Sequence, residues 1–224
     1  MDAILAFGAA TLATAFSADL WAGYRRSPRH HVAAYGVGIT MFAVATWALW
    51  VGLQYGWSGP VYRVFFLFGA ILNIPFLALG SMFLVVGRRS GNVMALLLGA
   101  LTAISITLTT TIRFANPLPG SGIPEDIFST GFSPRLFAII GGAAGSTILI
   151  ILSVVSIARF WSANRRIVWA NLLILAGTFA AASGGTGLAL GEESAFAVSL
   201  LVAVTLIWAG HRVASGARRP QPPI

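Results

Sequence analysis

Seven long apolar segments, separated by polar joins, make up almost the whole chain. A helix needs about 20 predominantly apolar residues to cross the hydrocarbon core of a bilayer, and most of the segments reach that length. The predicted spans cover approximately residues 3–24, 32–55, 61–86, 93–112, 135–158, 167–190 and 194–208. We therefore predict an all-α integral membrane protein, with a seven-transmembrane-helix bundle as a single domain over 1–212 and a tail rich in Pro and Arg over 213–224.

The basic residues are distributed unevenly between the joins. All 14 are arginines, and 11 of them lie in every second join or in the tail. The exceptions are Arg63, Arg113 and Arg135. Because an excess of basic residues marks the cytoplasmic side of a membrane protein, the pattern predicts an amino terminus outside and a cytoplasmic carboxyl terminus.

The composition excludes an ordinary soluble domain. Hydrophobic residues make up 57% of the chain, charged residues only 9%, and the mean hydropathy is +0.85. The net charge of +8 does not indicate nucleic-acid binding, because the arginines flank the spans, so the predicted partner is the lipid bilayer. The many Ala, Gly and Arg residues and the absence of Lys are typical of a GC-rich bacterium, which favours its cytoplasmic (inner) membrane.

The third span carries a polar residue beside a helix breaker. Pro75 lacks a backbone N–H and displaces the carbonyl of Ile71, so we predict a bend near the middle of the bilayer. Asn73 lies two residues away, on a helical face shared with Tyr62, Gly69 and Gly80. Two interpretations remain open: Asn73 lines a polar cavity, or it bonds a neighbouring helix.

The fourth span has a stripe of hydroxyl residues on one face. Thr102, Ser105 and Thr109 follow helical spacing towards Arg113. Polar groups are costly inside a bilayer and therefore mark either helix contacts or a site. We predict a cavity between the third, fourth and sixth spans, lined by Asn73 and this stripe.

The fifth and sixth spans show faces of small and hydroxyl residues. Gly141 and Gly145 have the spacing of a close helix contact, and Asn171, Thr178 and Gly185 recur at intervals of seven. Such faces are typical of helix packing in membranes. They are also the basis of an alternative function, that of an accessory or scaffold subunit with a membrane-protein partner or a second copy of the chain.

The long outer join, residues 113–135, is predicted to be a lid or a binding loop because joins of this length are unusual in a compact protein. Arg63, Arg113 and Arg135 stand at the ends of the spans beneath it. Either Glu125 and Asp126 pair with these arginines and hold the join down, or the arginines face an anionic ligand that enters from outside.

Asp19 is the only acidic residue predicted near the inner face. One interpretation is an interfacial ion pair with Arg25, Arg26 or a histidine on the inner side. The other is a proton or cation relay, which the sequence supports less well because no second buried carboxylate is present.

No catalytic residues, metal site or cofactor are predicted. The chain has no cysteine, its three histidines lack further donors nearby, and the predicted spans contain no pair of carboxylates and no nucleophile motif. Seven spans with an outside amino terminus also occur in microbial rhodopsins and G-protein-coupled receptors. The chain has no lysine for a retinal Schiff base, however. Its third span ends in Val86, Gly87, Arg88 and Arg89, and not in the acidic-Arg-aromatic triplet that ends the third span of the receptors.

The sequence thus predicts a noncatalytic protein that binds or transports a small or lipidic ligand reached from the outer side. The scaffold subunit is the alternative and an intramembrane enzyme the third possibility. The candidate ligand-binding residues are Arg63, Asn73, Thr102, Ser105, Thr109, Arg113 and Arg135, and the candidate structural or gating residues are Asp19, Pro75, Glu125 and Asp126.

Overall fold

A computed structural model describes residues 1–120, 122–124, 127–188 and 193–216. Within these ranges the chain is helical and has no strand. Seven helices are long and apolar enough to span a membrane, which confirms the predicted number of apolar helices. They are α1 (Asp2–Arg26), α2 (His30–Tyr55), α3 (Gly59–Val85), α4 (Arg88–Thr111), α5 (Pro134–Phe160), α6 (Arg165–Leu188) and α7 (Glu193–Gly216).

Six of the helices form a closed ring. Going around it, α1 packs on α2, α2 on α3, α3 on α5, α5 on α6, α6 on α7, and α7 returns to α1. The remaining helix, α4, lies outside the ring against α3, with a smaller contact to α5. Only 17% of its apolar stretch is buried in the bundle, against 28–50% for the other six, so α4 is peripheral.

Helix α7 continues to Gly216, about two turns beyond the predicted end of the seventh span. The extension is packed against α6 at close range. A Cβ placed on Gly210 would lie 2.7 Å from the Ala170 carbonyl oxygen, and one on Gly177 would lie 2.9 Å from the Ala203 carbonyl oxygen. Small residues on each helix therefore let the backbones approach, as is usual for membrane helix pairs.

Helix α3 contains a π-helical segment, Phe66–Leu72, shortly before Pro75, the residue at which a bend was predicted. The Asn73 N–H donates to the carbonyl of Phe68, five residues earlier, instead of four. A wide turn before a proline is one of the ways a membrane helix accommodates the missing donor.

The displaced carbonyl of Ile71 lies against α5. A Cβ on Gly141 would be 2.8 Å from this oxygen, and one on Gly145 would be 2.9 Å from Ile74 Cγ2 and 3.0 Å from the Pro75 nitrogen. The two glycines of α5 thus receive the irregular part of α3.

The join between α4 and α5 folds over one end of the ring, which we call the join end. Ile123, Ile127 and Phe128 are at least 96% buried there. The Trp57 indole donates to the Gly122 carbonyl (2.6 Å), and the Ala115 N–H donates to the Ile127 carbonyl (2.8 Å). The opposite end, where α1, α3, α5 and α7 finish, carries most of the arginines, and we call it the arginine-rich end.

Candidate functional site

The ring surrounds a central cavity of about 450 Å³, which lies between α2, α3, α5, α6 and α7. Pro124 of the join forms part of its wall at the join end. None of the described residues that line it is charged. Its volume falls in the range of small-molecule sites in proteins, and such sites are mostly apolar with a few polar groups.

Asn73 is the most informative polar residue of the central cavity. It is 94% buried, and its Oδ1 accepts a hydrogen bond from the N–H of Ile74 (2.6 Å). That bond fixes the orientation of the amide, because only the oxygen can accept. The Nδ2 group has no hydrogen-bond partner among the described residues, although it can donate two hydrogen bonds. Asn73 therefore presents unused donors at the wall of the cavity.

Three hydroxyl residues complete the polar lining, each on a different helix. Thr46 donates to the Phe42 carbonyl (3.0 Å), Ser146 to the Ala143 carbonyl (3.2 Å) and Thr178 to the Ile174 carbonyl (2.9 Å). Because each hydroxyl proton is used within its own helix, only the oxygen lone pairs remain for a ligand. The cavity combines amide donors with hydroxyl acceptors on otherwise apolar walls.

The hydroxyl stripe of α4 does not share this cavity with Asn73. Ser105 and Thr109 are fully buried, yet their hydroxyls find no partner within the described part of the chain. Thr102 donates to the Leu98 carbonyl of its own helix (2.7 Å). Among the described residues that line the central cavity, none belongs to α4. The stripe is part of the packing of α4 on the ring.

Arg63 joins α3 to the end of α4. Its guanidinium donates to the carbonyls of Thr109 and Ile112, the latter at 2.9 Å, and lies 4.4 Å from the centre of the Phe114 ring. The last carbonyls of a helix lack intrahelical partners and carry negative partial charge, so a cation there stabilises the helix end. The position of Arg63 is that of a helix cap.

The other predicted members of the basic rim are placed differently. The side chains of Arg113 and Arg135 are exposed at the join end, and neither is among the residues that line the central cavity. Glu125 and Asp126, the expected partners of the rim, lie outside the described residues. Apolar burial, the Trp57 hydrogen bond and the position of Arg63 on the Phe114 ring contribute to holding the described part of the join.

Asp19 is paired at the arginine-rich end, but its cation comes from α7 and not from the neighbouring Arg25 or Arg26. One Asp19 carboxylate oxygen is 3.3 Å from Arg212 and 3.1 Å from the indole nitrogen of Trp208. The packing of α1 against α7 explains the choice, since it turns this face of α1 towards α7.

A second cavity, of about 280 Å³, opens at the arginine-rich end between α1, α2, α3, α5, α6 and α7. We call it the basic cavity because Arg29, His31 and His211 line it. It shares five wall residues with the central cavity, at the middle of the bundle: Ile39, Leu77, Leu149, Thr178 and Ile207. The two cavities therefore meet at a mostly apolar junction inside the ring.

Sequence reasoning missed several of these residues. Thr46 is one hydroxyl within a long apolar run, and nothing in the pattern distinguishes it. Thr178 and Gly185 were visible on one face of α6, but that face was interpreted as helix packing. Asn171, on the same face, does pack in that way: its Nδ2 donates to Ser156 Oγ of α5 (3.0 Å).

The described residues contain no group of three or more His, Cys, Asp or Glu side chains able to hold a metal ion. Comparison with protein-family models, with curated proteins and with solved structures finds no match for the chain. The candidate site therefore rests on its own geometry.

Proposed function

We propose that this chain is a multi-pass protein of a bacterial cytoplasmic membrane that binds or transports a small, largely apolar molecule in the central cavity, without catalysing a reaction on it. The observation that carries the proposal is the unpartnered Nδ2 of Asn73, a 94% buried donor at the wall of a cavity of ligand size. An unmade hydrogen bond of this kind costs about 1–3 kcal/mol, which an acceptor on the ligand would recover.

The polar groups suggest the chemistry of the ligand. Asn73 would donate to a carbonyl, ether or hydroxyl oxygen, and the hydroxyls of Thr46, Ser146 and Thr178 would accept from a donor on the same ligand. Apolar walls without charge would disfavour an ion, because desolvating a charge is expensive. The ligand is then an uncharged molecule with an apolar body and one small polar group.

Passage through the bundle is supported by the junction of the two cavities. The central cavity lies towards the join end, the basic cavity opens at the other end, and five shared residues separate them. By the distribution of arginines, the join end faces outwards and the arginine-rich end faces the cytoplasm. A ligand entering on the outer side would need only the junction to open in order to reach the cytoplasmic side.

Two glycines favour entry from the membrane between α5 and α6. Gly142 and Gly185 both line the central cavity near the join end, and a Cβ built on either meets nothing within 4 Å. The walls are therefore thin at this point, which suits a lipidic ligand that approaches through the outer leaflet.

The test is ligand retention by the purified full chain. Native mass spectrometry should identify a bound neutral molecule in the wild type, and Asn73→Leu should lower its occupancy about tenfold, because one hydrogen bond to a buried donor is removed. Asn171→Leu is the matched control, since Asn171 lies between α5 and α6 and lines neither cavity.

An equal loss in the two variants would mean that Asn73 acts through packing and would remove the support for the proposal. If the wild type instead carries no small molecule and co-purifies with a stoichiometric membrane protein, the accessory-subunit function replaces the carrier.

A further inference from the structure

The basic cavity differs chemically from the central one. Its described wall contains one arginine and two histidines but no acidic residue, and Tyr35 is its only other titratable group. The Tyr35 hydroxyl is engaged with Ser81 Oγ at 2.9 Å. A concave site that holds a positive charge and no negative one raises the local concentration of anions.

The acidic residue nearest to this cavity is already used. Asp19 is paired with Arg212 and Trp208, also interacts electrostatically with His211 of the cavity wall, and is not itself part of that wall. The other acidic positions within the described ranges, Asp2 and Glu193, begin α1 and α7 at the opposite end of the bundle. Nothing among the described residues therefore neutralises Arg29, whose guanidinium makes no hydrogen bond or ion pair with any of them.

The amino-terminal end of α2 adds to the positive electrostatic potential of the basic cavity. Arg29 is the N-cap residue of α2, no side chain caps this end, and its first turn holds no acidic residue. Val32, also in the cavity wall, is in that first turn. The amino-terminal end of a helix carries a positive partial charge, so α2 and the guanidinium of Arg29 favour an anion at the same place.

The rest of the wall is apolar and continues into the bundle. Phe16, Leu20 and Leu84 form part of this wall, and Ile39 and Ile207 belong to the junction with the central cavity. An inorganic anion would leave these walls without a partner, whereas a hydrocarbon chain would cover them.

We infer that the basic cavity is a binding site for an anionic amphiphile, whose carboxylate or phosphate oxygens contact Arg29, His31 and His211 while its hydrocarbon chain lies along the apolar wall towards the junction. The site is separate from the neutral site at Asn73 and does not depend on the proposed function. The same chemistry is found in free fatty acids and in the headgroup region of anionic phospholipids, so the experiment includes both sources.

The full chain is reconstituted in phosphatidylcholine nanodiscs, and the binding of palmitate is compared with that of hexadecanol, its neutral counterpart. The wild type should bind palmitate at least about tenfold more tightly, because only the carboxylate makes charge-assisted hydrogen bonds. Arg29→Gln should weaken palmitate binding about tenfold, Arg29→Lys much less, and hexadecanol binding should not change.

The matched control is Arg159→Gln, which removes an exposed arginine at the same end of the bundle that does not line the cavity. It should leave palmitate binding unchanged. His211→Gln provides a second variant in case Arg29→Gln does not fold, and it should weaken palmitate binding in the same direction.

In the second arm, nanodiscs contain phosphatidylglycerol, and native mass spectrometry counts the lipids that remain bound. Phosphatidylglycerol retention that falls in Arg29→Gln but not in Arg159→Gln, without palmitate binding, would identify the lipid as the source and still support the site. The inference would be overturned if palmitate and hexadecanol both bind with equal affinity, if the two arginine variants have equal effects, or if neither anionic probe is retained.

Two further measurements limit the interpretation. Inorganic phosphate should compete only weakly, and competition as strong as that of palmitate would show that the hydrocarbon chain is not recognised, which also overturns the inference. Asn73→Leu should leave palmitate binding unchanged, so that failure of this site and failure of the central site can be told apart.

Discussion

Helix α3 makes two contacts that differ in kind, one with α5 inside the ring and one with α4 outside it. Against α5, backbone meets backbone: Gly141 and Gly145 receive Ile71 and Pro75 without any long side chain between them. Against α4, side chains make the contact, and Arg63 holds the helix end by its last carbonyls.

The difference shows that a buried polar residue means different things on the two sides of α3. Asn73 faces the interior of the ring and keeps free donors at a cavity, whereas Ser105 and Thr109 are sealed between α4 and the ring. Burial alone does not separate these cases. What separates them is whether the helix belongs to the ring.

The largest effect is expected from breaking the contact with α4. Arg63→Gln should remove two charge-assisted hydrogen bonds to carbonyls and lower the free energy of unfolding by about 3 kcal/mol. Denaturant titration in detergent, followed by tryptophan fluorescence, measures the loss. Arg113→Gln removes an exposed arginine two residues after the end of α4, and it should change the free energy of unfolding by less than about 0.5 kcal/mol. Similar losses in both variants would show that general charge, and not the cap, is responsible.

A smaller effect should follow from pushing α5 away from α3. In Gly145→Ala the new Cβ would lie 2.9 Å from Ile74 Cγ2 and 3.0 Å from the Pro75 nitrogen, so stability should fall by about 2 kcal/mol. Gly142→Ala, one turn away, meets nothing within 4 Å and should instead gain up to about 1 kcal/mol from helix propensity. Denaturant unfolding curves of the two variants measure both changes in stability. Changes of the same sign would contradict the close contact between α3 and α5.

The smallest effect is expected from removing a buried hydroxyl that has no described partner, compared with one that accepts a hydrogen bond. Ser105→Ala removes a fully buried hydroxyl without a described partner, so stability should stay the same or rise by up to about 1 kcal/mol. Ser156→Ala removes the acceptor of the Asn171 bond and should cost about 1 kcal/mol. A clear loss of stability in Ser105→Ala would mean that this hydroxyl makes a hydrogen bond. The description of Ser105 as buried between α4 and the ring without a partner would then be wrong.

The number of spanning helices could be predicted from the sequence because helix length and apolar character are local properties. A bend of α3 was predicted from the missing backbone donor of Pro75, but the π-helical segment Phe66–Leu72 was not, because it leaves no mark in the apolar pattern. The end of α7 was not predicted either: the predicted span ends at residue 208, whereas the helix continues to Gly216, with Gly210 close to the Ala170 carbonyl.

The arrangement of the helices could not be predicted in the same way. Thr102, Ser105 and Thr109 have the spacing of a site-lining face, and the same spacing serves equally well for a helix packed from outside. The partner of Asp19 was missed because Arg212 lies on the last helix and is close only after the ring has closed. Which helices are neighbours is a property of the whole chain, and spacing along a single helix does not contain it.

The wide turn of α3 also shifts the phase of the helix. Eleven residues make slightly more than three full turns of a regular α-helix, so an undistorted α3 would place Tyr62 and Asn73 on the same face. The residue added within Phe66–Leu72 rotates the two parts of α3 by about 100° relative to each other. One part can then direct Tyr62 to the aromatic side chains beneath the join, while the other directs Asn73 into the ring. A single extra residue thus lets one helix serve two surfaces that straight geometry would have superimposed.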